Sequence, residues 1–123
     1  MAAPNLKTPT TITGKTAGYA VTASLAAALT NSAASGKVFK INSLVVSNVD
    51  GTNAADITVS YYSEDDIGGT ATEIVSTISV PADASLVVID KNTSIYLEED
   101  RSIGATAGTA SDLKVLVSFE EIS

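Results

Sequence analysis

Three acidic clusters, Glu64-Asp65-Asp66, Glu98-Glu99-Asp100 and Glu120-Glu121, are the side chains in this sequence whose type first suggests chemistry. A glycosidase needs two carboxylates held either about 5 Å or about 6.5–9.5 Å apart across a sugar cleft. The first two clusters fall instead at strand ends or hairpin tips, where solvated charge is expected, and no cleft is implied around them. Calcium asks only for hard oxygen ligands, and Asn48, Asp50 and Asn53 lie close together on one loop. Their spacing opens like an EF-hand loop but lacks the glutamate at its twelfth position and the flanking helices. These three are therefore weak calcium candidates beside the simpler reading of an Asx-stabilised turn. Asn92-Thr93-Ser94 matches a glycosylation acceptor only formally, and without a secretory signal it reads as a turn. Gly104-Ala-Thr-Ala-Gly108 lacks the basic residue and helix start of a phosphate loop, so it reads as a flexible connection between the last two strands.

The inventory closes most other routes. The chain of 123 residues has no Cys and no His, so thiolate and imidazole ligands, thiol catalysis and histidine-based triads are excluded by composition. No enzyme activity, cofactor or metal is expected. Seven Lys plus Arg stand against 14 Asp plus Glu, a formal net charge of −7. Such a balance argues against nucleic acid, whose binding needs clustered cations to replace counterions. The nearest basic pair, Lys37 and Lys40, fits the rim of one strand with one residue on each face. No basic stretch followed by an apolar run opens the chain, and the longest small-apolar stretch, 17–29, is too short for a bilayer, so neither a secretory signal nor a membrane span is expected.

The elements that must carry these residues are strands. Leu113, Val115, Val117 and Phe119 alternate with Lys114, Leu116, Ser118 and Glu120, the mark of a half-buried strand. Ile57, Val59 and Tyr61 repeat the pattern, and after a turn-rich tip at 63–70 the chain returns through Ile74, Ile78 and Val80. Strands at 86–89 and 94–97, separated by the polar turn 90–93, predict a second hairpin. Residues 38–48 are apolar on both faces, which predicts a central or interface strand. Asp50-Gly51 then predicts a tight turn with an antiparallel return into Ala55. The alternation from Tyr19 to Thr30 predicts one long strand there, although alanine-rich helical spacing competes with it. Pro4, Pro9 and a Thr-rich run leave 1–15 as an extended arm.

The tally predicts an all-β fold, a single β-sandwich of seven to eight antiparallel strands over 16–123 preceded by the arm 1–15. Immunoglobulin-like and jelly-roll orders both remain open. The expected core is Phe39, Phe119, Leu44, Val46, Ile57, Val59, Ile78, Val88, Val115 and Val117, with Tyr61 and Tyr96 at the rim. Ala, Ser and Thr supply 48 of the 123 residues, so hydroxyls must carry much of the surface.

Two long stretches carry a resemblance. Residues 30–59, from Thr30-Asn-Ser-Ala-Ala-Ser-Gly-Lys-Val-Phe through Asn48-Val-Asp-Gly-Thr-Asn to Val59, are similar to small virion structural proteins of tailed phages that infect marine cyanobacteria. So are residues 76–99 and the ending Ser118-Phe-Glu-Glu-Ile-Ser. The resemblance implies a structural protein of a phage particle, located on the virion and decorating or cementing the capsid shell through apolar and main-chain contacts. Its implied partners are the major capsid protein or other virion proteins, with further copies in a homo-oligomer or symmetric array. No residue-level site carries over. Contact is expected from the arm (Leu6, Thr11, Ile12), the two-sided strand (Val45) and the tip at 67–70 (Ile67). A tail, neck or fibre component is the alternative within the structural class. A glycan-binding adhesion module using tips 63–70 and 98–104 is the alternative outside it.

Overall fold

The alternating residues near the end of the chain do form a strand with one buried face, and it lies at the centre of the molecule. The structure, a computed structural model, describes residues 4–123. Among them nine strands form: β1 (Ile12–Ala20), β2 (Ala26–Asn31), β3 (Val38–Asn48), β4 (Ala55–Glu64), β5 (Gly68–Val80), β6 (Ser85–Ile89), β7 (Ile95–Leu97), β8 (Arg101–Ala107) and β9 (Leu113–Ile122). Two antiparallel sheets face each other, one ordered β1-β9-β3-β6 with β7 also on β3, the other β2-β8-β4-β5. Between them lie Ile41, Leu44, Val46, Val115, Val117 and Phe119 from the first sheet and Ile57, Val59, Ile103, Ala105 and Ala107 from the second. Phe39 and Phe119 pack with ring centroids 5.3 Å apart, within the range where tilted aromatic pairs attract. The expected β-sandwich is thus the observed fold.

Its order is that of a jelly roll. β4 and β5 are the consecutive strands that pair directly; around this hairpin the chain nests β3 with β6 and β7, β2 with β8, and β1 with β9. Rolling this long double ribbon adds the ladders β3·β9 and β4·β8, which close the two sheets.

Five local expectations change for that reason. The alternation from Tyr19 to Thr30 is split between two sheets. At 21–25 the chain crosses over, with Val21 N–H donating to Leu113 O in one sheet and Thr22 O accepting from Ala107 N–H in the other. Asp50-Gly51 does not return β3 onto β4 as a hairpin, since these strands lie in opposite sheets. β6 and β7 are not a hairpin either. Both run antiparallel to β3, one after the other along the same edge, interrupted by a 3₁₀ turn at Lys91–Thr93 that Asp90 caps. The segment containing Gly104, expected to be a flexible connection, is β8, an inner strand of its sheet. The arm ends earlier than residue 15, because Ile12–Lys15 already belong to β1. Residues 1–3 of the arm lie outside the described residues.

Eight of the ten expected core residues are buried. Val88 is half-buried against the core. Ile78 faces Ile57 but stays 41% exposed, because β5 is an edge strand with no neighbour beyond it among the described residues.

Candidate interaction surface

The acidic clusters work as acceptors for loop backbone. Asp65 Oδ2 accepts from Ala33 N–H at 3.1 Å and Asp100 Oδ1 from Asp65 N–H at 3.1 Å. Glu99 Oε2 accepts from Gly36 N–H at 3.0 Å. The rolled fold thus brings 64–66 and 98–100 to one end of the sandwich, where they pin the β2–β3 loop and the β4–β5 tip. Glu121 takes a different role, bonding Lys37 Nζ at 2.6 Å and Lys15 Nζ at 2.9 Å. Lys37 first and Lys15 second hold its carboxyl below the usual glutamate range.

Asn48, Asp50 and Asn53 form a turn whose polar atoms are already engaged. Asn48 is buried and donates through Nδ2 to Asn53 O and Val80 O, both at 2.9 Å, while its Oδ1 accepts Asp50 N–H. Asp50 Oδ1 accepts the N–H groups of Thr52 and Asn53, which hold its carboxyl below the ordinary aspartate value. The side-chain oxygens of Asn48 and Asp50 are thus already taken up by backbone N–H groups of their own turn, as an Asx-stabilised turn requires. Asn31, at the end of β2, makes a matching buried clasp, donating to Lys37 O and Leu97 O at 3.0 Å each. No group of three acidic side chains able to hold a metal occurs among the described residues.

Ile67, expected at an exposed tip, is folded inward. Asp66 and Ile67 both have positive φ, 54° and 56°, and Gly68 N–H closes the turn onto Asp65 O at 3.0 Å. A β-branched residue in this region is strained. What holds it is the outer surface of the second sheet: Ile67 N–H donates to Ser102 Oγ at 2.8 Å and Asp66 N–H to Thr30 Oγ1 at 2.9 Å. The flap covers Gly104, where a Cβ would lie 2.8 Å from Tyr62 Cε2, 2.9 Å from Ile67 Cγ2 and 3.2 Å from Leu25 Cδ1. Tyr62 is consequently buried on the outer face of its strand. Neither the flap nor 98–104, most of which lies in or beside β8, is a free tip.

The open apolar surface is the outer face of the first sheet. Register sets Val87, Val45, Leu116 and Gly18 side by side on β6, β3, β9 and β1, and residues opposite one another share a face. Val87 is 57% and Leu116 53% exposed, with Val45 half-buried between them. Serines flank the row on both sides, Ser47 and Ser85 above and Ser43 and Ser118 below. Gly18 lacks a side chain beside Leu116, leaving a shallow groove of about 500 Å³ with Ala20, Ser47 and Lys114 on its walls. The row is thus apolar along its centre and rimmed by hydroxyls. Of the expected contact residues, Val45 lies in this strip. Leu6 and Ile12 are exposed, and Thr11 is tied to Ser123 by backbone bonds in both directions. Nothing in the sequence pattern singled out Val87, whose exposure follows only from its pairing with Val45.

Fold and surface together define a jelly-roll module with one apolar strip on the outer face of its first sheet. No protein-family model matches the chain, and no curated protein matches it in sequence. In structure it is similar to a chain of the Bacillus endospore appendages, described as a novel family of disulfide-linked pili. The two share 17% identity over 92% of this chain and 87% of that one, with a TM-score of 0.55. The likeness is one of fold.

Proposed function

We propose that the chain is a structural subunit of a phage particle, decorating or cementing the capsid shell through the outer face of its first sheet. The observation that carries the proposal is the Val87–Val45–Leu116 strip, an apolar row left open on a protein whose core is already filled. Burying one such side chain fully stabilises a contact by about 1.5–3 kcal/mol, so repeated copies on a shell would bind through a small footprint. The resemblance of residues 30–59 and 76–99 to cyanophage virion proteins supplies the particle. Jelly rolls serve capsids and lectins alike, so the fold by itself does not choose between such roles. Localisation on purified particles tests the proposal: label on many shell sites that is lost with Leu116→Glu supports it. Label at one vertex or along the tail, or none, refutes it.

A subunit of a filamentous appendage is the second reading, favoured by the structural likeness to the endospore pili. Without cysteine, this chain would have to join its copies non-covalently. Filaments of the purified chain in negative stain would favour this reading over decoration.

A further inference from the structure

Among the described residues four strand edges are open in the two sheets, and three are guarded. β5 is interrupted by register shifts at three places and by a positive φ of 51° at Thr77. β2 has six residues and a shift between Ala27 and Leu29. β6 and β7 are separated by the 3₁₀ turn. Bulges, shortness and interruption are the devices that keep sheet edges from pairing with other chains. β1 has none of them. It matches β9 through nine consecutive pairs without a shift, contains no proline and no acidic residue, and is exposed along both faces except at Tyr19.

The free backbone groups of β1 can be named. Thr11 and Ser123 exchange both hydrogen bonds, and Val21 N–H donates to Leu113 O. In an antiparallel ladder such pairs alternate, so the odd residues of β1 point their N–H and C=O groups toward β9. Ile12, Gly14, Thr16, Gly18 and Ala20 therefore present theirs outward. This set is self-complementary. Two copies of β1 set antiparallel about Thr16 pair 12 with 20, 14 with 18, and 16 with itself, which satisfies every outward group in a hydrogen-bonded position. Between Gly14 and Ala20 the side chains on that face are small. The one charge on the strand, Lys15, is held by Glu121, so a chain of net charge −7 meets its copy here without facing acid with acid.

We propose that β1 pairs with β1 of a second copy, joining the two five-stranded sheets into one continuous sheet across a two-fold axis. The pairing stands on the edge geometry and does not depend on which particle or filament the chain belongs to.

Cysteine cross-linking and sedimentation test it, aided by the absence of native cysteine. Thr16 would face its own copy at a Cα separation of about 5.5 Å, within disulfide reach. Thr13 would lie roughly 20 Å from its copy along the ladder. Thr16→Cys should oxidise to a dimer and Thr13→Cys should not. The unmodified chain should sediment at twice its 12.5 kDa mass. Thr16→Pro, which removes the outward N–H and, with the hydroxyl, a 3.4 Å bond to Ser118 Oγ at the surface, should sediment as a folded monomer. A monomeric unmodified chain, a dimer that survives Thr16→Pro, or equal cross-linking at 13 and 16 would each overturn the proposal. Should Thr16→Pro fail to fold, the two cysteine variants and the unmodified chain decide it alone.

Discussion

Gly104→Ala probes whether the flap over β8 is as closely packed as its geometry requires. The added methyl would sit 2.8 Å from Tyr62 Cε2 and 2.9 Å from Ile67 Cγ2, where carbon pairs prefer about 3.5–4.0 Å, so the ring and the Ile67 branch must retreat by at least about 0.7 and 0.6 Å respectively. Overpacking of this kind costs about 1–3 kcal/mol. Replacing glycine in a strand by alanine returns about 0.5–1 kcal/mol through the unfolded chain. The expected net loss is about 1–2 kcal/mol, a fall in Tm of roughly 5 °C for a chain of this size. Thermal unfolding measures it. Hydrogen exchange locates it: the amides of Asp66 and Ile67, bonded to Thr30 and Ser102, should lose protection before those of β8. Ile67→Ala removes one of the two clashing groups, so the cost of Gly104→Ala should shrink in that background. Unchanged or increased stability of Gly104→Ala, or an equal cost with and without Ile67, would refute the flap as a packed element.

Four further outcomes follow from the same geometry. Asn48→Asp turns a buried double donor into a group facing the carbonyls of Asn53 and Val80, and should cost about 3 kcal/mol at neutral pH. Its folded pKa is raised, so the loss should grow as pH rises above the unfolded carboxylate value, visible in urea melts at pH 4 and 7. Glu121 has the opposite sign: its pKa is lowered by Lys37 and Lys15, so its stabilisation is complete above about 4.3, the unfolded value, and is lost as pH falls through the folded one. Glu121→Gln should flatten the acid limb of the stability profile. Tyr19→Phe removes a buried hydroxyl without a partner among the described residues, whose ionisation burial pushes up to about 12; the variant should match or exceed the parent in thermal stability, by up to about 1 kcal/mol. Deleting residues 4–9 should leave the circular dichroism and Tm nearly unchanged, because the chain is tied to Ser123 only from Thr10 onward.

Legibility tracked how local each signal was. β9 and β4 were readable because side-chain alternation is a property of the strand itself, and Leu113, Val115, Val117, Ile57 and Val59 are buried as their spacing predicts. Val45 was readable as one side of a two-faced strand, but its neighbours in the apolar strip were not, since Val87 and Leu116 come to it from β6 and β9. β8 was missed because Ser-Ile-Gly-Ala-Thr-Ala has little bulk of its own. Its outer face is buried by Tyr62, Ile67 and Leu25, which arrive from elsewhere in the chain.

What the amino acids determined by themselves is the class: alternating β-branched residues and short polar turns make strands with one apolar face, which must pack on a second sheet, and a chain without His or Cys is denied imidazole and thiolate chemistry. Only the tertiary structure decided which strands meet. Rolling the double ribbon pairs Thr11 with Ser123, at 112 residues' separation, and contacts at that range leave no local period to read. The same rolling turned an expected tip into a flap, an expected linker into an inner strand, and left Leu116 beside Gly18 on an open face and β1 on an open edge.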